Sequence, residues 1–266
     1  MKLKYYLVVG MLCVVFTGCA TVPITGRRQL SIISQSELLS LSANNYGEMI
    51  QGETLSTNAK ETAMVRRVGE RIAFATEAFL QENGLAHTIT DYKWEFTTIA
   101  KDETVNASCM PGGKIVVYTG ILPVAASDAG LAAILGHEVA HAIANHGGER
   151  VSQGLLFQMG SETLHQAMQK QPDKTRAIVL SAFGLGSQLG VLLPYSRLQE
   201  NEADQIGLIL MAKAGYNPRE SIAFWQRMSR IGKRQPLEFL STHPATESRI
   251  ERIESLIPEA LKYYKE

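Results

Sequence analysis

Two histidines four residues apart, with a glutamate between them, are the residues of this chain best suited to chemistry. His137 and His141 lie in the apolar segment LAAILGHEVAHAIANH, residues 131–146. On an α-helix, side chains at i and i+4 share one face about 5–6 Å apart, so both imidazoles can bind one zinc ion. Glu138 points about 100° away and can reach a water at an open coordination position. The alternative is a buried helix that merely carries polar residues.

The small apolar neighbours of this motif favour a metal site. Unpaired charge is costly in such surroundings, and a cation would stabilise two imidazoles and a carboxylate there. The HExxH pattern alone is weak, because it occurs by chance in many proteins. A catalytic zinc site normally has three protein ligands and a water, so the third ligand decides the assignment. The neighbours in question are Ala133, Ile134, Ala140 and Ala144.

The segment SRLQENEADQIGLILMAKAG, residues 196–215, carries three carboxylates that helical phase separates. Glu200 and Asp204 share a face with small and apolar residues, whereas Glu202 falls among polar residues on a face predicted to be solvated. Glu200 is therefore predicted to be the third ligand. Asp204, one turn further on, is predicted to hold a ligating imidazole through its other ring nitrogen.

The other histidines have simpler explanations. His146 lies near the helix end that we expect at Gly147–Gly148, is out of phase with the pair, and fits a cation at a helix C-terminus. His87 and His165 lie in polar surroundings and are predicted to be surface residues. His243 precedes a proline, and local sequence alone makes it a solvent-exposed loop residue.

Composition argues against one class of partner. The chain of 266 residues is 45% hydrophobic, which is enough for one large core or two small ones. Its 26 Lys and Arg residues balance 26 Asp and Glu residues, giving a formal net charge of zero. This balance argues against bulk electrostatic binding to nucleic acid, although it does not exclude a local basic patch, and we expect no nucleic-acid partner.

The first twenty residues, MKLKYYLVVGMLCVVFTGCA, have the pattern of an export signal. Two lysines precede an apolar run that is too short to span a bilayer comfortably. The stretch FTGC resembles the lipobox of bacterial lipoproteins, although Phe16 replaces the usual leucine. We therefore expect residues 1–18 to be a signal peptide and Cys19 to be lipidated. The alternative is ordinary secretion with cleavage near Ala20.

The cysteines agree with a lipoprotein. Cys13 would leave with the signal and Cys19 would carry the lipid, which leaves Cys109 with no partner for an intramolecular disulfide. Ala20, directly after the lipidated cysteine, does not retain a lipoprotein at the inner membrane. In a Gram-negative host we therefore expect an outer-membrane lipoprotein that faces the periplasm.

The pattern of elements predicts a mainly α-helical α+β protein. Residues 35–82 have helical periodicity, whereas YKWEFTTIA (92–100) and KIVVYTG (114–120) have β-strand composition with the turn PGG between them. We expect a small antiparallel sheet beside the HEVAH helix. Ser127 and Asp128 can cap that helix.

Two further apolar segments lie outside these motifs. Residues 176–193, RAIVLSAFGLGSQLGVLL, are predicted to form a helix over the active-site cleft; the alternative, a transmembrane span, would separate Glu200 from His141. The final segment ESRIERIESLIPEAL has apolar residues at helical spacing and is predicted to pack on the core. We expect residues 19–34 to form a tether and residues 35–266 to form one catalytic domain.

The combination of motifs resembles metallopeptidase family forty-eight, the family of the CAAX prenyl protease and HtpX. Within it, the chain looks most like the bacterial envelope-lipoprotein branch that includes LoiP and the protease domain of BepA. The C-terminal tetratricopeptide array of BepA has no match in this sequence. The similar segments cover nearly the whole mature chain and are TGRRQL, NASCMPGGKIVVYTG, HEVAHAIANHGGER, SRLQENEADQIG and STHPATESRI.

The resemblance implies a gluzincin-like zincin fold, one zinc ion per chain and endopeptidase activity. The E-x-x-A-D element of the family makes Glu200 the third ligand, in agreement with the helical phase. Glu138 would be the general base that takes a proton from the attacking water and passes it to the leaving amine. In the H-P-x-x-x-S-R element, His243 can reach the zinc and close the site, or donate to the oxyanion, and Arg249 can orient the loop or the substrate.

The resemblance also marks a substrate-side segment at Asn106 and Ala107. The strand KIVVYTG can present an edge on which an extended substrate pairs by β-augmentation; the alternative is an ordinary covered strand. The substrate-binding residues of such an edge would be Lys114, Ile115, Val116 and Val117.

Two functions are open on these grounds. The first is a lipoprotein zinc endopeptidase that cleaves misfolded or damaged envelope proteins, with outer-membrane assembly factors or proteases as further partners and the lipid on Cys19 as its membrane contact. The second is a latent, chaperone-like or binding lipoprotein with a closed metal site. The intact glutamate of HExxH favours the enzyme, because a structural site has no need of Glu138.

Overall fold

The computed structural model describes residues 19–23, 25–169 and 193–265. By their contacts these residues divide between two compact units. The first unit takes the chain up to residue 38 together with residues 145–199, and the second takes residues 39–144 together with residues 200–266.

The described elements are mostly helices, so the predicted mainly helical α+β class is confirmed. The helices are α1 (Gln35–Gln51), α2 (Ala59–Glu82), α3 (Leu122–Ala125), α4 (Asp128–Ile143), α5 (His146–Met168), α6 (Leu193–Lys213), α7 (Glu220–Gly232), α8 (Glu238–Thr242) and α9 (Glu247–Ala260). The strands are β1 (Cys19–Thr21), β2 (Arg28–Leu30), β3 (Glu95–Ile99), β4 (Ala107–Met110) and β5 (Lys114–Tyr118).

The helical periodicity of residues 35–82 is confirmed, with a break between α1 and α2. Asn58 begins α2, because its side chain accepts hydrogen bonds from the backbone N–H groups of Lys60 and Glu61. The apolar stripe of α2 is buried at Val65, Val68, Ile72, Phe79 and Leu80. The predicted packing of α9 is confirmed by the buried side chains of Ile253 and Ile257.

Strands β3, β5 and β4 form a three-stranded sheet with β5 in the centre. β4 and β5 form an antiparallel hairpin, and its turn holds Gly112 and Gly113 at φ of 89° and 82°, a region that favours glycine. β3 pairs with β5 in parallel, with Glu95 opposite Lys114. The predicted antiparallel pairing of these two strands is therefore wrong, because β4 takes the hairpin position that was expected for β3.

Helix α4 carries HEVAH and lies in the middle of the second unit, where α2, α7 and β4 pack on it. As predicted, the Ser127 side chain caps its first turn and Asp128 lies at its N-terminus. The helix ends at Ile143, earlier than expected, because Asn145 adopts a left-handed conformation with φ of 55°. His146 therefore begins α5 and is buried, so its predicted place at a helix C-terminus is wrong.

Two glycines let α4 and α6 approach closely. A Cβ atom on Gly136 would lie 2.7 Å from the carbonyl oxygen of Gly207, and one on Gly207 would lie 2.8 Å from the backbone nitrogen of His137. The two backbones therefore meet at a crossing that only glycine permits. His137 follows Gly136 directly, and Glu200 precedes Gly207 by about two helical turns, so the crossing brings both side chains to facing surfaces.

The first unit contains the hairpin β1–β2, in which Cys19 lies opposite Leu30. β2 packs on α5, and the predicted tether of residues 19–34 thus lies on a helix of the same unit.

No single helix in the described part of the chain is both long and apolar enough to cross a membrane. The pair Thr119–Ala125 and Asp128–Ile143, bent by 119°, meets that length and composition requirement only when the two are taken together. The predicted signal peptide and residues 176–192 of the apolar segment lie outside the described residues.

We predict that Gly207→Ala destabilises the second unit by about 1–3 kcal/mol, because the added methyl group must push α4 and α6 apart. Thermal unfolding of the purified protein measures this. Gly154→Ala is the matched control, since a Cβ at that α5 position meets nothing within 4 Å. The control should gain about 0.5–1 kcal/mol from helix propensity. Equal stability of both variants would contradict the close crossing.

Candidate metal centre

Four side chains from three parts of the second unit converge. His137 and His141 come from α4, Glu200 from α6, and His243 directly follows α8. Each offers one possible ligand atom, and these atoms lie within 4.8 Å of one another. All four residues are buried, so the interpretation of His243 as a solvent-exposed loop residue is wrong. The residues predicted from HEVAH, from the α6 phase and from the H-P element thus meet in one cluster.

Glu200 contacts all three imidazoles. Its Oε1 lies 3.1 Å from His141 Nε2 and 2.9 Å from His243 Nδ1, and its Oε2 lies 3.4 Å from His137 Nε2. The two Nε2 atoms of His137 and His141 are 3.1 Å apart. The i, i+4 spacing therefore presents equivalent nitrogens of both imidazoles to the same carboxylate.

This donor set fits zinc. Imidazole nitrogens and a carboxylate oxygen are the ligands that catalytic zinc sites use, and ligands about 2.0–2.1 Å from a tetrahedral ion lie roughly 3.3 Å from each other. The separations between the donor atoms of His137, His141 and Glu200, from 3.1 to 3.4 Å, are close to that value. The arrangement can hold one zinc ion.

Asp204 lies behind His137, as its position one turn after Glu200 predicts. Its Oδ1 is 3.1 Å from His137 Nδ1, so the ring's other nitrogen faces the donor cluster. Arg249 donates to both oxygens of Asp204, at 3.0 and 2.7 Å, and Arg252 donates to Oδ2 at 2.8 Å. Burial raises the pKa of Asp204, but the Arg249 charge and His137 lower it to about 2. Asp204 is therefore an ionised group that orients His137.

The carboxylates of this centre favour positive charge beside them. Burial lowers the pKa of His137, but hydrogen bonds with Asp204 and Glu200 outweigh it and raise the pKa to about 9. Burial raises the pKa of Glu200, yet its contacts with His137, His141 and His243 hold that pKa far below its usual range. Burial lowers the pKa of His141, which keeps that imidazole in the neutral form that binds metals. A divalent cation is the charge that this arrangement accommodates.

Glu138 lies beside the cluster rather than in it. Its side chain is buried, and its Oε1 is 3.5 Å from His243 Nε2. Among the residues that the structure describes, Oε1 forms no hydrogen bond. A buried carboxylate oxygen needs a polar partner, so the position suits a water or a substrate group next to the metal. This matches the predicted direction of Glu138, away from the ligand face of α4.

Arg249 is buried against the ring of Trp225, with its guanidinium carbon 3.7 Å from the ring centre. Besides Asp204, it contacts Glu200 Oε2 at 3.2 Å and donates to the carbonyl oxygen of Pro244 at 3.2 Å. The guanidinium thus links a metal donor to the loop after His243. Sequence reasoning found Arg249 only through the resemblance and missed Arg252 and Trp225.

The predicted substrate-binding residues separate into two groups. Asn106 and Ala107 lie at the beginning of β4, which is an outer strand of the sheet. Lys114, Ile115, Val116 and Val117 belong to β5, whose two sides pair with β3 and β4. The proposal that β5 offers a free edge to a substrate is therefore wrong. Its alternative, an ordinary covered strand, is the one observed.

Three other predictions concern polar residues near the motifs. His87 and His165 are exposed, as expected. Glu202 is buried, so the predicted solvated face of α6 is wrong at this position. Neither Glu202 nor His146 belongs to the metal-binding group found among the described residues.

Comparison with known proteins agrees with this geometry. Residues 59–257 match peptidase family M48. The chain is 35% identical over 256 residues to mitochondrial metalloendopeptidase OMA1 of Schizosaccharomyces pombe, covering 92% of this chain and 68% of that protein. It is 32% identical to human metalloendopeptidase OMA1, covering 95% of this chain and 49% of that protein. It is 25% identical to metalloprotease LoiP of Escherichia coli K12, covering 95% and 96% of the two chains.

The match to the family covers the helix with HEVAH, the helix with Glu200 and the loop with His243. The resemblance predicted from the motifs is confirmed, and so is zinc as the cofactor that the donor set fits. The chain therefore belongs to peptidase family M48 and is a zinc metalloendopeptidase.

Proposed function

We propose that this metalloendopeptidase is a lipid-anchored protein of the bacterial envelope that cleaves unfolded or damaged envelope proteins. The lipobox-like FTGC at Cys19 supports the anchor. Similarity to LoiP over almost the full length of both chains supports a bacterial setting. The OMA1 relatives are mitochondrial by name, but a lipobox belongs to bacterial lipoproteins, so their location is not carried over.

The observation that carries the chemistry is Glu138 beside the buried donors His137, His141 and Glu200. These three residues would hold the zinc ion. When bound, zinc supplies Lewis acidity that activates a water and polarises the scissile carbonyl. Glu138 takes the proton from the attacking water at its carboxylate and delivers it to the leaving amine. Asp204 keeps His137 in the ligating orientation throughout.

β4 is the strand we propose for the substrate. It is an outer strand of the sheet and packs against α4, the helix with Glu138. An extended, unfolded segment can pair with the backbone groups of such a strand, which gives affinity without demanding one sequence. Ala107 begins this strand, Asn106 directly precedes it, and both keep their proposed role, whereas Lys114–Val117 lose theirs.

His243 and its loop act as a latch in this proposal. The Nδ1 atom of His243 lies within 3.0 Å of Glu200 Oε2, so the imidazole sits in the donor cluster. The Glu238 carboxylate accepts a hydrogen bond from the Asn106 side chain at 2.9 Å. The backbone N–H of Phe239 donates to the carbonyl of Val105 at 3.2 Å. These contacts fasten the latch to the beginning of the proposed substrate strand.

A second candidate function is a latent, chaperone-like lipoprotein. The observation that favours it is the same fourth donor, because a site closed by His243 leaves less room for an attacking water. The two functions differ in whether the loop opens, which the predictions below distinguish.

We predict that Glu138→Gln retains zinc and fold but loses at least about 10²–10⁴-fold in the cleavage rate of an unfolded protein, because it removes the proton acceptor. Zinc content by atomic emission and casein cleavage by the purified chain measure the two effects. Loss of zinc in this variant would make Glu138 a ligand and refute its role as base.

We predict that Glu200→Gln loses zinc while Glu202→Gln keeps it, although both residues are buried on α6. The loss should exceed the roughly 10–100-fold typical of a group that only supports a ligand. Competition with a chelator measures the zinc affinity of both variants. Equal depletion in the two would refute the assignment of Glu200.

We predict that His243→Ala raises basal cleavage while zinc stays bound through His137, His141 and Glu200. Glu238→Ala, which breaks only the contact with Asn106, should raise it by about 2–12-fold, the effect of losing 0.5–1.5 kcal/mol of closure. Glu254→Ala on the exposed side of α9 is the control. A fall in activity with zinc retained would instead assign His243 to the oxyanion.

A further inference from the structure

The first unit carries an exposed apolar surface that the catalytic chemistry does not use. We call it the α5 apolar patch and define it by four residues of α5 and one of the tether. The exposed fractions are 38% for Ile32, 39% for Val151, 38% for Leu155, 40% for Leu156 and 61% for Met159. A group of large apolar side chains that remains exposed in one place marks a contact surface.

Helical spacing shows how the patch arises. Ser152 faces the tether and is fully buried. Leu155, Leu156 and Met159 lie three, four and seven residues further on, so they continue the face of α5 that Ser152 occupies. The tether covers the beginning of this face and leaves its continuation exposed. The exposed part of α5 is therefore apolar, because it continues the face of the helix that packs against the tether.

The tether is held firmly on α5. Arg27 donates to both carboxylate oxygens of Glu149, at 2.9 and 2.8 Å, and Glu149 is fully buried. Gln199 donates to Glu149 Oε2 at 2.8 Å. The Ser152 hydroxyl accepts a hydrogen bond from the backbone of Ile32 at 2.9 Å. A bidentate pair with a buried carboxylate and further hydrogen bonds fixes the geometry of the hairpin and the helix.

The predicted lipidation site, Cys19, lies in the hairpin that leads to this surface. Residues 1–18 lead into Cys19, and Cys19 pairs with Leu30 in the β1–β2 hairpin. Ile32 is two positions after Leu30, a reach of at most about 7 Å. Acyl chains on Cys19 would thus enter a bilayer close to one edge of the α5 apolar patch.

We propose that the α5 apolar patch rests on the lipid surface that holds the acyl chains of Cys19. Leu155, Leu156 and Met159 enter the boundary between headgroups and acyl chains, as apolar faces of interfacial helices do. The exposed Arg28 on β2 of the same unit can meet headgroup phosphates. This inference rests on the lipid anchor of the proposed function. It adds that the anchored unit has one fixed orientation on the bilayer.

A second copy of the chain fits the α5 apolar patch less well than a lipid surface does. Stable dimers bury about 800 Å² on each partner, whereas five partly exposed side chains offer a few hundred Å². Contact with lipid does not require so large an area, because the lipid on Cys19 already holds the protein at the bilayer.

The test uses the full, lipidated chain with Met159→Cys, labelled with an environment-sensitive fluorophore. Cys19 carries the lipid and Cys109 is buried, so the new thiol is the reactive one. In vesicles of phosphatidylethanolamine and phosphatidylglycerol, nitroxide lipids should quench this label severalfold more than the same label at Gly154→Cys. Gly154 lies on another side of α5, about 140° from Met159, and a Cβ there meets nothing within 4 Å.

Two outcomes would overturn the proposal for the patch alone. One is equal quenching at both positions, or none, in protein that mass spectrometry shows to be lipidated on Cys19. The other is a blue-shifted Met159→Cys label that nitroxide lipids do not quench, which means that a second copy or another part of the chain covers it. Protein without lipid on Cys19 would overturn the anchor and, with it, this inference.

Discussion

The close crossing of α4 and α6 is the constraint on which the metal centre depends. Gly136 and Gly207 let the two backbones touch, and a methyl group on either would collide with the other helix. His137 and Glu200 then stand at hydrogen-bond distance instead of being separated by a layer of side chains. Cores are packed too tightly to absorb even one extra methylene without cost, so the donor distances follow from this contact.

The second constraint is the balance of charge among buried groups. Glu138, Glu200 and Asp204 are buried together, and only Arg249 and Arg252 offer permanent positive charge among their described contacts. Removing one partner from a buried ion pair costs about 3–5 kcal/mol, because the other charge is left uncompensated. The arginines behind the ligands are thus as much part of the centre as the ligands. A bound cation and these guanidinium groups together offset the free-energy cost of burying the three carboxylates.

Sequence alone could predict those parts of the site that depend on helical phase. His137, His141, Glu200 and Asp204 each lie on one regular helix, so spacing fixes their direction. The same reasoning failed for Glu202, because α6 is packed on more than one side and phase tells only which residues share a face. It also failed for the sheet, because strand order depends on pairing between distant segments. The burial of His243 has no local signal at all, since tertiary contacts bring its loop to Glu200.

The Arg27–Glu149 pair has a consequence for the order of events during biosynthesis. Its two residues are 122 positions apart in the sequence. At a rate of chain synthesis of about 5–20 residues per second, Glu149 is therefore synthesised roughly 6–24 s after Arg27. During this interval nothing can fasten β1 and β2 to α5. An enzyme that acted at Cys19 within this interval would meet a segment not yet held on α5 by the Arg27–Glu149 pair.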